Sequence, residues 1–382
     1  MKIVAAIDSF KGSLSTMQAG NAVLEGIKRV FKDAEIIVRP LADGGEGTVN
    51  ALICENKENL QTVTVSDPLG RKINAEYGII NGSTAVIEMA AAAGITLVSE
   101  NEINPLNTTT YGVGEMIKDA IKKGCRNFII GIGGSATNDC GVGMLQALGF
   151  EFLNKYDEQV CFGAKGLSDI VKISNENALR ELSECTFNIA CDVKNVLCGE
   201  TGCSAVYAPQ KGATPDMIEQ MDSWLDRFAS LTHEFTGQDN SNYPGAGAAG
   251  GLGFAFLSYL NANLESGIDL IIRETKLEEY IKTADIVITG EGRLDDQTCM
   301  GKAPVGVASI AKKYKLPVIA FSGCVTDGAV LCNDHGIDAF FPIVRKPCTL
   351  EEAMDYETAS ANMSDTAEQV FKLIKAIKKP LL

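Results

Sequence analysis

The chain has 382 residues, 46% hydrophobic and 22% charged, a globular balance with room for two or three domains. Its apolar runs fall well short of the ~20 residues that span a bilayer. With 34 basic against 49 acidic side chains and a formal charge of −15, it is disfavoured as a partner of nucleic acid or anionic membranes, and any anionic substrate must be caught by a local cluster of cations and backbone N–H groups.

Lys2–Ile7 alternates into a β-branched run and predicts a first parallel strand; Met1 leads straight into it, with no leader pattern. Asp8-Ser9-Phe10-Lys11-Gly12-Ser13 leaves the strand's carboxyl end. Ser15 and Gln18 then have capping-box spacing for a helix with Met17, Val23, Leu24, Ile27, Val30 and Phe31 on one face. Glu35–Arg39 reads as a second strand closed by Pro40, and Leu41-Ala42-Asp43-Gly44-Gly45-Glu46-Gly47-Thr48 opens a helix to about Asn56. In both repeats a polar loop lies at the strand's carboxyl end, where open α/β sheets bind ligands. From residue 61 the texture changes. Residues 62–65, 73–80 and 84–88 predict antiparallel strands, with turn signals at Asp67-Pro68-Leu69-Gly70 and Asn81-Gly82.

The stretch that organises the chain follows a buried strand, Asn127-Phe128-Ile129-Ile130. It reads Gly131-Ile-Gly133-Gly134-Ser135-Ala136-Thr137-Asn138-Asp139-Cys140-Gly141-Val142-Gly143, and a helix runs from it to Gly149. A glycine turn between strand and helix aims backbone N–H groups at one point and suits an anion. Ser135, Thr137, Asn138 and Asp139 place four polar side chains within five positions, more than a helix cap requires.

A polar segment, 154–183, precedes a strand at 187–191 that leads into Asp192-Val193-Lys194-Asn195. Ala208-Pro209-Gln210-Lys211-Gly212-Ala213 comes before a helix with Thr214 as N-cap and Pro215 at its first position. Pro244–Gly253 introduces an apolar helix. Its Gly245-x-Gly247-x-x-Gly250 matches the dinucleotide pattern in letters only, since Tyr243-Pro244 rather than a strand precedes it. Strand 284–289 has the exit loop Gly290-Glu291-Gly292-Arg293-Leu294-Asp295-Asp296-Gln297-Thr298, and Gly301-Lys302-Ala303-Pro304 starts a helix. Strands at 316–322 and 339–343 and a closing amphipathic helix complete the pattern. Two early and three late strands around an insert describe an α/β protein of two domains. A discontinuous flavodoxin/Rossmann-like parallel-sheet domain (1–60 plus 284–382) is interrupted by a mixed α/β domain (61–283), with the active site expected in the cleft between them.

Twelve cysteines invite a metal or disulfide reading, but no C-x-x-C occurs, and Cys191, Cys198 and Cys203 are separated by six and four residues. Reduced thiols in a cytoplasmic protein are expected. With only His233 and His335, no Ser–His–Asp or Cys–His centre is supported. The polar residues outside helices instead gather in glycine loops: Asp8, Ser9 and Lys11; Asp43 and Glu46 beside Gly44 and Gly45; Ser135, Asn138 and Asp139; Asp192 and Asn195; Lys211; Glu291, Arg293, Asp295 and Asp296; Lys302. Carboxylates interleaved with cations suit phosphoryl transfer: acids hold Mg²⁺, cations and N–H groups hold phosphate oxygens, and one carboxylate takes the proton of the attacking hydroxyl. The bland alternatives are that Asp8 caps a helix, that Asp43 and Glu46 solvate a turn, and that Arg293 forms a structural ion pair. Asp192 directly follows an apolar strand, where burial without compensation would argue against a structural role. The Lys-containing P-loop is absent, so a nucleotide would have to be held by another set of loops.

The segments Asp8–Leu14, Pro40–Thr48, Asp67–Arg71, Gly131–Leu148, Ala190–Asn195, Pro209–Ala213, Pro244–Gly253 and Asp285–Ala308 together resemble the type-1 glycerate kinases. One departure is Cys140, where the family pattern has glycine; it matters if that position needs a positive φ. The resemblance implies ATP-dependent phosphorylation of D-glycerate with Mg²⁺, mostly to 2-phosphoglycerate, by a cytoplasmic enzyme with no nucleic-acid or membrane partner and with a homo-oligomer allowed. Under it, Gly133, Gly134, Ser135, Asn138 and Lys211 bind anionic groups, with Ser9, Gly44, Gly45, Gly247 and Lys302 as further binding residues. Asp192 or Asp295 is the general base. Asp8, Asp43 and Glu291 are the metal candidates, and Arg71, Arg293 or Lys11 grips the substrate carboxylate. A nucleotide-independent isomerase or hydrolase of a phosphorylated sugar acid, or a sensor of small anions, would use the same cradles; glycerate-dependent ATP consumption separates them.

Overall fold

The computed structural model describes residues 1–42, 44, 45, 47–53 and 56–378. Among them the strands, in chain order, are β1 Lys2–Ile7, β2 Glu35–Pro40, β3 Leu60–Ser66, β4 Lys72–Ile80, β5 Thr84–Glu88 and β6 Asn127–Gly131. There follow β7 Glu151–Leu153, β8 Lys172–Ser174, β9 Thr186–Ala190, β10 Asn263–Glu265, β11 Ile286–Leu294, β12 Val318–Val325 and β13 Ala339–Pro342. The chain divides into two units, residues 1–43 with 268–382, and residues 44–267.

In the first unit β13, β12, β11, β1 and β2 lie side by side in that order, all parallel. Counted within the unit this is 2-1-3-4-5, the flavodoxin-like doubly wound order. The central strands are buried on both faces, so Ile3–Ile7 and Ile286–Ile288 are apolar without alternation. Helix Thr16–Lys28 starts at the predicted capping box, in which Ser15 and Gln18 each bond the other's backbone N–H. It packs on the closing helix Tyr356–Lys378, with Phe31 edge-on to Phe371.

One boundary differs from expectation in a way that matters for the site. β11 does not end at Thr289 but runs to Leu294, because residues 290–294 go on pairing with β12 from Gly290–Phe321 to Leu294–Val325. Glu291 and Arg293 therefore sit on the end of a strand rather than in a loop.

The second unit holds a six-stranded sheet ordered β10-β9-β6-β5-β4-β3. β3 to β5 form the expected antiparallel run, and β5, β6, β9 and β10 are parallel. Phe128 and Phe187 stack across β6 and β9 with centroids 4.8 Å apart, and Phe256 of the apolar helix Ala248–Leu260 adjoins Phe187. Helix Pro215–Thr236 is capped by Thr214 as predicted and buries Met221, Leu225 and Phe228. The ribbon of β7 and β8, and strand β10, carry no sequence signal: three residues are too few to show a period. No helix among the described residues is long and apolar enough to cross a membrane.

Candidate active site

In the first unit the strand order reverses between β1 and β11, and doubly wound sheets take ligands outside the carboxyl ends of the strands at such a point. The Asp8 N–H donates to the Gly290 carbonyl at 2.9 Å, tying the two strand ends together. The Asp8 side chain is only 5% exposed and accepts the Ser9 N–H at 2.7 Å. Phe10 and Leu14 close the next turn with a pair of backbone bonds, leaving Lys11 exposed on it, and Gly292 of β11 lies against Phe10. On the β11 side, Thr298 donates its hydroxyl to Glu291 Oε1 at 2.6 Å and its N–H to Asp295 Oδ1 at 3.2 Å. Arg293 Nε lies 3.4 Å from Asp295 Oδ2, and Lys302 Nζ lies 3.9 Å from Oδ1. The switch point thus collects Asp8, Ser9 and Lys11 from one strand end and Glu291, Arg293, Asp295 and Lys302 from the other. Arg293 does make the ion pair weighed for it, yet its side chain remains 65% exposed. Thr298 was not singled out from sequence, although its position three residues after Asp295 is cap spacing. Asp43 and Glu46 lie outside the described residues.

In the second unit the carboxyl ends of the parallel strands also carry the expected loops. Gly44 packs directly against Ala190 at the end of β9, and a Cβ on Gly131 would overlap the Gly44 carbonyl oxygen. Gly133 lies against Gly45. The approaches at Gly44 and Gly131 require glycine whether or not a ligand is bound, while at Gly133 a Cβ would make only ordinary contact.

The glycine turn is built differently from the simplest reading. The helix after it, Val142–Ala147, is short, and its first N–H groups are met from within the protein: Gly141 and Gly143 donate to the Asp139 carboxylate at 3.2 and 3.3 Å, and Met144 donates to the Thr110 hydroxyl at 2.9 Å. Asp139 also accepts the Thr110 N–H and hydroxyl. Complete burial still pushes its pKa up, the hydrogen bonds opposing. Asp139 is therefore the internal cap, and the open part of the stretch is Gly133–Gly134, exposed and with N–H groups that bond no described residue.

Asn138 and Lys211 are enclosed. Asn138 donates to the Ser204 hydroxyl at 2.9 Å. Lys211 is 1% exposed, and its ammonium donates to Ser135 Oγ at 2.7 Å and to the Thr137 carbonyl at 2.6 Å. Burial brings its pKa down to about 8. An ammonium cannot accept, so Ser135 Oγ receives the bond and its own proton turns away from the lysine.

Asp192 is exposed, which corrects the expectation of a burial cost; one of its oxygens accepts the Gly267 N–H at 3.0 Å. Arg71 is committed to Asp67 at 2.6 Å and Glu102 at 3.1 Å. Gly247 donates its N–H to the Asn195 carbonyl, and a Cβ there would overlap the Val196 carbonyl, so it serves backbone packing.

Residues 3–375 match the model of the glycerate kinase family. The chain belongs to the glycerate kinase family. It is 46% identical over 375 residues to a glycerate kinase of Haemophilus influenzae, spanning 98% of this chain and 99% of the other. It is 45% identical over 354 residues to a glycerate 2-kinase of Escherichia coli, spanning 92% and 93%. A crystal structure of a protein of Salmonella typhimurium LT2, provisionally assigned as glycerate kinase 2, superposes with a TM-score of 0.91 at 43% identity, covering 99% of both chains. The protein is accordingly a kinase of the two-domain α/β type. Cys140, where the resemblance leads one to expect a glycine, has a φ of +52°, so it places a side chain in left-handed backbone.

Proposed function

We propose that this glycerate kinase family member transfers the terminal phosphoryl group of ATP to D-glycerate, forming 2-phosphoglycerate, with Mg²⁺ accompanying the phosphates. The observation that carries the reading is the mixed set of carboxylates and cations at the switch point between β1 and β11, on a chain 45% identical to a glycerate 2-kinase. Arg293 and Lys11 are exposed cations suited to the glycerate carboxylate; Arg71, already engaged by two acids, is less so. The Gly133–Gly134 N–H groups, and the Ser135 hydroxyl whose proton is not spent on Lys211, offer donors to phosphate oxygens.

For the general base, Asp192 is favoured over Asp295: Asp295 caps the turn at Thr298 and pairs with Arg293 and Lys302, whereas Asp192 is exposed and accepts the Gly267 N–H. Mg²⁺, when bound, would supply neutralisation of the charge that develops on the phosphates. Asp8 and Glu291 are the described carboxylates that would hold it. No group of three or more ligating side chains exists among the described residues, but Mg²⁺ commonly takes one or two carboxylates and completes its shell with water and phosphate. Asp43 remains a proposed ligand. A cytoplasmic location belongs to the same reading, since it supplies ATP.

Phosphorus NMR of a reaction containing D-glycerate, ATP and Mg²⁺ tests the proposal. The expected product is 2-phosphoglycerate, with ATP consumed only when glycerate is present. Phosphorylation at the third carbon, or glycerate-independent loss of ATP, would contradict it.

A further inference from the structure

Cys299 and Cys332 belong to no part of the reading above, yet their sulfurs lie 3.4 Å apart in the first unit. Cys299 sits half-buried in the turn Asp296–Met300, and Cys332 is buried in the short helix Leu331–Asp334. The two segments rest on each other through backbone as well as side chain: Gly328, just ahead of that helix, is so close to Asp296 that a Cβ would sit 3.0 Å from its N and Cβ. The thiols are therefore held together by the fold and not by chance rotamers alone.

We propose that Cys299 and Cys332 are a thiol–disulfide modification site, oxidised by a peroxide and re-reduced by a small thiol, and that closing the bridge displaces the Thr298 turn. In the first step the Cys299 thiolate attacks hydrogen peroxide. The O–O bond breaks, one oxygen leaves as hydroxide and takes up a proton to become water, and Cys299 becomes a sulfenic acid. In the second step the Cys332 sulfur attacks the Cys299 sulfur; the S–O bond breaks, hydroxide leaves with the Cys332 proton as a second water, and the S–S bond forms. Two thiols are oxidised and one peroxide is reduced. The order follows from the surroundings. Cys332 is buried, which together with its contact to Cys299 pushes its thiol up to about 12 and keeps it protonated, whereas Cys299 is the one that oxidant can reach.

A disulfide needs its sulfurs at about 2.05 Å, so more than an ångström of movement must be absorbed by the two segments. Cys299 follows Thr298, whose hydroxyl and N–H hold Glu291 and Asp295. Loss of turnover on oxidation thus rests on the proposed phosphoryl-transfer site, while formation of the bridge does not.

The experiment treats the full-length protein with hydrogen peroxide, blocks remaining thiols with N-ethylmaleimide, and maps tryptic peptides by mass spectrometry without reduction. Cys324 lies near Cys332 in sequence, so the mapping is repeated in C324S. The expected result is a Cys299–Cys332 linked peptide, lighter than the two separate peptides by two hydrogens, retained in C324S, absent in C299S and C332S, and reversed by dithiothreitol. Turnover of the wild type should fall and return in step with the link, while C299S stays insensitive. Oxidation of the exposed Cys161, Cys324 and Cys348 without any Cys299–Cys332 link would overturn the proposal, as would a complete link with undiminished turnover. Untreated protein that does not phosphorylate glycerate would instead count against the functional reading, with the linked peptide still deciding whether the bridge forms.

Discussion

Lys211 is a cation enclosed by the second unit, with Ser135 Oγ and the Thr137 carbonyl as acceptors. Burial lowers its pKa from 10.5 to about 8. Between those values the native lysine is largely neutral while the unfolded chain still binds the proton, so ∂ΔG/∂pH is positive and stability from this site rises with pH. Below pH 8 the buried charge costs on the order of 3 kcal/mol. Urea titrations of wild type and K211M at about pH 7 and about pH 10 should show the difference in unfolding free energy moving towards the wild type at the higher pH; a difference flat with pH would refute the assignment. Cys140 poses the opposite problem, a buried side chain at φ +52°. Left-handed backbone costs a non-glycine residue about 1–2 kcal/mol, but the sulfur fills space beside the Gly251 carbonyl. C140G should therefore shift stability by no more than about 1 kcal/mol, strain relief offsetting lost packing, whereas C140V, β-branched in the same conformation, should lower the thermal midpoint clearly. Asp192 is exposed and accepts the Gly267 N–H. Its conversion to Asn should leave the melting temperature nearly unchanged while turnover falls about 10²–10⁴-fold, the range for losing a general base. A rate close to wild type would remove Asp192 from the mechanism.

At the scale of elements, the glycine run 245–253 shows why one string of letters supports two readings. Gly245-x-Gly247-x-x-Gly250 has the spacing of a dinucleotide loop, but here the glycines let backbone lie on backbone. Gly250, at φ +67°, receives the Cys140 N–H on its carbonyl and sits so close to Thr137 that a Cβ would overlap that carbonyl oxygen. G250A should thus cost at least about 3 kcal/mol, read as a lower denaturation midpoint; an unchanged midpoint would mean that the 137–140 loop can yield. Elements with four or more apolar residues in phase were readable from sequence, among them β1, β6, the helix after Ser15 and the helix after Thr214. β7, β8 and β10 were not, because pairing rather than local pattern makes them strands. The tail of β11 reads as a loop in sequence for the same reason: Glu291 and Arg293 look like loop residues until β12 supplies partners. The first unit's candidate residues were legible because a parallel strand delivers whatever follows it to one edge. Which way Asn138, Lys211 and Arg71 face was not, since orientation depends on Ser204, Ser135, Asp67 and Glu102, distant in sequence or unmarked by spacing.

The charge of the whole chain bears on how an anion reaches any of these groups. A formal −15 sets a repulsive field around an enzyme proposed to bind a carboxylic acid and a nucleotide triphosphate. Beyond the Debye length that field is screened, and the length shrinks from about 30 Å at 10 mM salt to about 8 Å at 150 mM. The ligand contacts proposed for Arg293, Lys11 and the Gly133–Gly134 N–H groups would act over hydrogen-bond distances and be weakened much less. Raising ionic strength over that range should therefore lower KM for D-glycerate, by about twofold or more, with kcat little altered. Initial rates at fixed Mg²⁺ and ATP, in a chloride salt whose cation does not compete with Mg²⁺, measure this. A KM that instead rises steeply with salt would show that local cations govern approach as well as contact, and that the acidic excess lies too far from the path of the ligand to be felt.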